Sequence, residues 1–288
     1  MIAVTGILVI MLMIIYFLYA QTSDIVIRNN NQYAEETMRK FKLGLSQKVD
    51  ETSQIMLNLA FDPFVQKFIT QNDPALLYEM GKELDRKIIS LKAGRKGFED
   101  IVLIGTNGVR YSLNGGIEYV RQLETEILNS RDVYVSGLKK FNYGNNLQTN
   151  MVFAQNMNAS EMNKAAGGTR IGYIAVIVNV KAMFFDNDVS DAEAGVGFYL
   201  IDRFGKVFPE TNSPDITRSI GDYGSQPEGE RKRGNSIGGV KGAVQIQKLD
   251  QIEASVLSFF PEETLLAVLN AVRTRSIVIV IAALVLMA

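Results

Sequence analysis

The sequence predicts an α+β fold: two helices first, then antiparallel sheet elements in two related modules, held between two uncharged apolar segments. Three observations predict it. Apolar residues from Met38 to Leu59 recur at helical spacing. Near Asp100 the pattern changes to short apolar runs broken by glycine turns. A strand–turn–strand pattern at residues 101–108 then recurs at residues 198–205.

The ends differ from the middle. Residues 1–20 carry no charge, and about 20 apolar residues are what a helix needs to cross a bilayer core. Tyr16 and Tyr19 suit the interfacial level at its downstream end. A cleaved signal peptide is the competing reading, but the basic leading region and a clean small-x-small site are both absent, so an anchor is expected. Residues 277–288 are all apolar or small, too few for a crossing of roughly 17–25 residues. They are expected to begin a second span that continues past Ala288. Arg273 and Arg275 on the domain side of that span weigh mildly against an extracytoplasmic domain, although long domains cross largely regardless of charge.

Composition excludes several chemistries. The net charge is −1 with both signs interspersed, so no nucleic-acid partner is expected. The chain has no cysteine, which removes disulfides and thiolate sites. It has no histidine, which removes the usual general base and the commonest metal ligand. No nucleophile elbow or phosphate loop is present. Asp186, Asp188, Asp191 and Glu193 approximate a calcium loop, but Asp191 stands where that loop needs glycine. The cluster is expected to be a solvated linker. No cofactor, metal or enzymatic activity is expected for this chain.

The elements follow in order. Met38, Phe41, Leu45, Val49, Thr52, Met56 and Leu59 are spaced by three or four residues, the seam of a long helix. That seam either pairs with a second subunit or covers the chain's own domain. Asp62-Pro63 ends the helix, because the residue before proline avoids helical angles. Asp73 and Pro74 start a second helix with the stripe Leu77, Met80, Leu84, Ile88 and Leu91, and Gly94 stops it. Residues 100–104 and 109–113 form a hairpin around Asn107-Gly108. A helix is expected over 117–128, with Val120, Leu123 and Ile127 on one face, then strands over 151–155 and 171–180 joined by an exposed loop. The second module repeats the hairpin over 198–208 and closes with a strand over 255–260, as the first closes with 173–180. Between these, residues 209–242, with the charge run 228–233, are expected as a solvated loop. From Pro261 onward no glycine or proline interrupts the pattern, so one helix is expected to run from the last strand into the second span.

This layout resembles the double Cache domain, a tandem of PAS-like sheets. The resemblance is carried by Gly197-Phe198-Tyr199-Leu200-Ile201-Asp202-Arg203-Phe204-Gly205-Lys206-Val207 and by Ser258-Phe259-Phe260-Pro261, and it extends over nearly the whole chain. It implies an extracytoplasmic sensor in the bacterial cell membrane that binds a small molecule in its membrane-distal module. Such sensors signal inward to a histidine kinase, a chemoreceptor domain or a cyclic-dinucleotide enzyme. The order of parts is most similar to sensor histidine kinases of the YesM type, with the phosphoacceptor outside this chain. The implied division is a transmembrane helix (1–20), a juxtamembrane helix (21–62), a distal module (63–186), a proximal module (187–262), and an exit helix with the second span (263–288).

Amino-acid-binding members of that family carry Arg-x-Trp-Tyr followed by a later aspartate. Here Arg131-Asp132-Val133-Tyr134 lacks the tryptophan, and residues 172–179 contain no aspartate. The ligand is therefore a small molecule of open identity. Candidate ligand residues are Tyr111, Arg131, Tyr134, Gln155 and Tyr173. Arg131 has the fork to grip a carboxylate or phosphate, and the others are polar or amphipathic residues on the distal sheet elements. Expected partners are the membrane, a second copy of the chain and, as another input, a solute-binding protein docking on the distal module. A chemotaxis-receptor input domain and a membrane-anchored scaffold or enzyme are the alternatives.

Overall fold

Helix α1 (Ile2–Ala60) answers the first open question, because its seam is already occupied. In the computed structural model, which describes residues 2–143, 146–159, 168–185, 197–211, 214–224, 229–237, 239–261 and 274, all seven seam residues are at most 6% exposed. They pack on the chain's own sheets. The Phe41 ring lies 4.8 Å from that of Phe198 and 5.5 Å from that of Phe185, so one side chain joins both halves of the molecule. Burial of each such side chain is worth about 2 kcal/mol. Pairing of two subunits through Phe41 and Leu45 would return that burial to water. Thr52, the seam's one polar member, donates its hydroxyl to the Lys48 carbonyl at 2.8 Å. Among the described residues no helix is long and apolar enough to cross a membrane.

Asp62 ends α1 as expected and also starts another helix. Its carboxylate accepts from the Phe64 and Val65 amides at 2.9 and 3.2 Å, capping α2 (Pro63–Thr70), and pairs with Lys87. Burial alone would raise the Asp62 pKa, but Lys87 and the two amides together hold it below the usual carboxylate value. Asp73 caps α3 (Pro74–Lys92) through the Ala75 amide at 2.9 Å, and Gly94 follows with a φ of +80°. Leu84 and Ile88 of the expected stripe are fully buried.

Two antiparallel sheets follow. The first contains β1 (Phe98–Gly105), β2 (Arg110–Ser112), β3 (Tyr134–Val135), β4 (Lys139–Tyr143), β5 (Asn146–Asn158) and β6 (Arg170–Asn179), in the order β2-β1-β6-β5-β3 with β4 also on β5. The second contains β7 (Gly197–Ile201), β8 (Val207–Phe208), β9 (Gly229–Ile237), β10 (Val240–Leu249) and β11 (Ala254–Pro261), in the order β8-β7-β11-β10-β9. In both, a hairpin leads and the closing strand lies beside its first arm. The recurrence in the sequence is a recurrence of sheet order.

Four expectations change. The helix over 117–128 is two short helices, α4 (Ile117–Arg121) and α5 (Glu124–Asn129), and the break still leaves Val120, Leu123 and Ile127 buried. Strands β3 and β4 form in the stretch between the expected helix over 117–128 and the expected strand over 151–155. The stretch 209–242 is not a loop throughout: Pro214 opens α7 (Pro214–Tyr223), which buries Ile220, and residues 229–233 of the charge run lie on β9. β9 ends the sheet, and edge strands commonly carry charge because it discourages pairing with other chains. Pro261 is the last residue of β11, opposite Gly242, rather than the first of a helix. The acidic cluster 186–193 and the exit helix lie outside the described residues, except that residue 274 is helical.

The core has three parts. α1, α2 and α3 cover one face of both sheets in a single cluster, α4 and α5 cover the other face of the first sheet, and α7 covers the other face of the second. A short helix α6 (Val180–Phe184), capped by the Asn179 side chain, turns the chain from the first sheet toward the second.

Candidate ligand site

Side chains alternate across a strand, so parity assigns each residue to a face of the first sheet. On β6, Tyr173, Ala175 and Ile177 point away from α1, while Ile174, Val176 and Val178 point toward it. Cross-strand pairing extends the outer set. Val152, Ala154 and Asn156 of β5 stand opposite Ile177, Ala175 and Tyr173, and Val102 and Ile104 of β1 stand opposite Ala175 and Tyr173. The result is an apolar floor under α4 and α5, whose Tyr119, Val120, Leu123 and Ile127 close it from above. Tyr134 enters from the edge, with β3 paired to β5 at Ala154.

Three polar atoms in this region are buried without a hydrogen-bond partner: the Tyr119 hydroxyl, the Tyr173 hydroxyl and Asn156 Oδ1. The Asn156 amide cannot be turned to relieve this. Its Nδ2 donates to the carbonyls of Ile127 and Ser130 at 3.1 and 3.0 Å, and only the nitrogen can serve two carbonyls. Oδ1 is therefore a fixed acceptor without a donor. An unsatisfied buried polar group costs about 1–3 kcal/mol, so three around one apolar floor require a physical reason.

The surrounding charge is mixed. Burial raises the Tyr173 pKa, the Glu124 carboxylate, which lies near the hydroxyl without meeting hydrogen-bond geometry, adds to the rise, and Arg121 and Arg110 oppose it. Tyr119 is raised by burial and by Tyr134 beside it. Tyr134 is raised by burial and then by Glu126, while Arg203 of the second sheet opposes. All three phenols are thus neutral at physiological pH. The Tyr119 ring is held by stacking on Phe141 at 4.3 Å.

The loop that launches α4 is organised by one buried carboxylate. Asp100 accepts from the Ser112 hydroxyl at 2.5 Å and from the amides of Leu113, Asn114 and Gly116 at 3.1, 3.2 and 2.9 Å. In the sequence Asp100 reads only as the start of a strand.

The five sequence candidates divide. Tyr134 and Tyr173 come together on the outer face. Tyr111 and Gln155 lie on the inner face, opposite Leu103 and Ile174. The Tyr111 hydroxyl donates to Asp85 Oδ1 at 2.7 Å with its ring edge-on to Phe68, and burial followed by that carboxylate raises its pKa. Gln155 Oε1 is buried and without a partner on that inner side. Arg131 is exposed in the turn before β3. Tyr119 and Asn156, which are not among those candidates, share the outer face with Tyr134 and Tyr173. The signal for Asn156 was present, since the alternation Val152, Ala154 reaches it in one more step. Among the described residues no group of three or more acidic side chains is placed to hold a metal ion.

No protein-family model and no curated protein sequence matches this chain. Solved structures do. The sensory domain of the Campylobacter jejuni chemoreceptor Tlp3, with isoleucine bound, superposes with a TM-score of 0.57 at 10% identity, over 85% of this chain and 97% of that domain. The extracellular domain of a protein assigned as a histidine kinase gives 0.55 at 11% identity, over 83% and 98%. A domain from Vibrio parahaemolyticus assigned to the sensory box/GGDEF family gives 0.55 at 12% identity, over 83% and 99%. The chain has the fold of these sensory domains, and the same fold occurs in receptors of different output.

Proposed function

We propose that this chain is the extracytoplasmic input domain of a transmembrane signalling receptor, and that it binds a small molecule between α4–α5 and the outer face of the first sheet. The observation that carries this reading is the set of three unsatisfied polar atoms over an apolar floor. Specific small-molecule sites have that composition, a mainly apolar lining with a few placed polar groups. A ligand must offer a donor to Asn156 Oδ1 and polar atoms to Tyr119 and Tyr173. Tlp3 was solved with isoleucine bound, so free amino acids are the first compounds to test.

The finer architecture belongs to the same proposal. Residues 1–20 and the run from 277 cross the membrane, supported by their uncharged apolar sequence. The boundaries are those of a juxtamembrane helix over 21–62, a distal module over 63–186, a proximal module over 187–262 and an exit helix from 263. The receptor is a sensor histidine kinase of the YesM type, with a chemotaxis receptor as the alternative output. Two copies associate through a surface other than the seam of α1, and a solute-binding protein is a further partner of the distal module.

The test is a thermal-shift panel on the whole 288-residue chain in nanodiscs, with free amino acids first and other small metabolites after them. A ligand at one hundred times its Kd stabilises the bound state by about 2.7 kcal/mol, which reads as a rise of several degrees. At least one compound is expected to produce it. A flat response across the panel would favour a scaffold instead.

A further inference from the structure

Tyr134 belongs to the first sheet, yet the second sheet holds it in place. β3 is only two residues long and lies at the sheet's edge, so β5 alone supports it from within. Its other side rests on the tip of the β7–β8 hairpin. Asp202 Oδ2 accepts from the Leu138 amide at 2.7 Å in a buried contact, and Lys206 Nζ donates to the Leu138 carbonyl at 3.3 Å. Gly137 fits against that tip so closely that an added Cβ would lie 2.6 Å from the Phe204 ring. The Arg203 guanidinium sits 5.8 Å from the centroid of the Tyr134 ring and 5.0 Å from that of Phe204, and pairs with Glu253 Oε2 at 2.6 Å.

We propose that Arg203 is a positioning residue of the ligand site: it holds the Tyr134 ring from outside, so that a residue of the second sheet completes the site of the first. The placement of Tyr134 in a ligand site rests on the function proposed above, whereas the contact itself does not. A cation over an aromatic face attracts it electrostatically, and Glu253 fixes where that cation stands. A ligand that moves Tyr134 would move Arg203, and with it the arm joining the β7–β8 hairpin to Glu253 at the start of β11. Nothing in the sequence signals this link, because Arg203 reads as an ordinary turn residue.

The experiment needs no ligand. The chain is labelled with 3-fluorotyrosine, and the Tyr134 fluorine resonance is assigned by its loss in Tyr134→Phe. In Arg203→Ala the Tyr134 signal is expected to move by more than its linewidth while that of Tyr111, on the opposite face, stays. Arg203→Lys is expected to restore part of the shift, because it keeps a cation near the ring. Glu253→Gln, which leaves Arg203 in place without its partner, is expected to move the same signal less, and it serves if the alanine variant folds poorly. An unmoved Tyr134 signal in both variants would overturn the proposal. So would equal movement of the Tyr111 and Tyr134 signals, which would indicate general loosening of the fold. Failure of the metabolite panel would count against the ligand site alone and leave this contact to the resonance.

Discussion

The two leading hairpins share one backbone and carry different tips. In the first, the Gly105 amide donates to Val109 at 2.8 Å and the Gly108 amide to Gly105 at 3.0 Å; in the second, Asp202 donates to Lys206 at 2.9 Å and Gly205 to Asp202 at 3.0 Å. Gly108 and Gly205 both have positive φ, +88° and +77°. The tips diverge at the position before the turn. Gly105 has no room for a side chain, since the Ile69 carbonyl occupies the place of its Cβ, and Asn107 ties that tip to the α2–α3 connection through the Gln71 carbonyl at 3.1 Å. The second tip has aspartate there instead. Its Oδ1 accepts from the Phe204 and Lys206 amides at 2.9 and 2.8 Å, and its Oδ2 reaches Leu138 of the other sheet. Two like frames thus differ in their attachment through one side chain at the tip.

The two tips differ most in what they hold at Asp202. Asp202→Ala strands three amides, one of them buried in the junction between the sheets, and is expected to lower stability by about 3 kcal/mol in urea unfolding. Asn107→Ala, at an exposed tip where water replaces the lost partners, is expected to cost about 1 kcal/mol or less. Equal costs would mean that the second tip is no more of a junction than the first. A smaller effect sharpens the point. Gly108→Ala and Gly205→Ala place a side chain in the left-handed region without a clash, in open space at Gly108 and 4.0 Å from the Gly221 carbonyl oxygen at Gly205. Each is expected to cost about 1 kcal/mol, and the two values should agree to within error if the backbone frame is truly shared.

Much of this frame was legible because it obeys local rules. Caps at Asp73 and Gly94, the seam of α1 and both hairpins depend on residues within a few positions of each other. The seam's partner was not legible, since helical spacing gives a sticky face without saying what covers it. β3 and β9 were missed for a shared reason: both are edge strands, one of two residues and one carrying charge, and neither has the apolar alternation of a half-buried strand. Tyr134 and Tyr173 share the outer face while Tyr111 and Gln155 lie on the inner one, a division that residue type cannot give because it ignores parity. One step along a strand separates the two faces. The constraint on Asn156 was beyond local reading, because the carbonyls that orient it belong to Ile127 and Ser130, on a segment well upstream of its own strand.

That one-residue difference supplies the most direct test of the proposed ligand site. Asn156 and Gln155 are neighbours on β5, both with a buried amide oxygen lacking a partner, and they point to opposite faces. Asn156→Ala and Gln155→Ala would be titrated side by side against the compound giving the largest thermal shift. Binding at least roughly ten-fold weaker is expected for Asn156→Ala, the loss of one buried hydrogen bond, with an unchanged Kd for Gln155→Ala. Weakened binding in the Gln155 variant with the Asn156 variant unaffected would place the ligand on the face beneath α1 and contradict the proposed site.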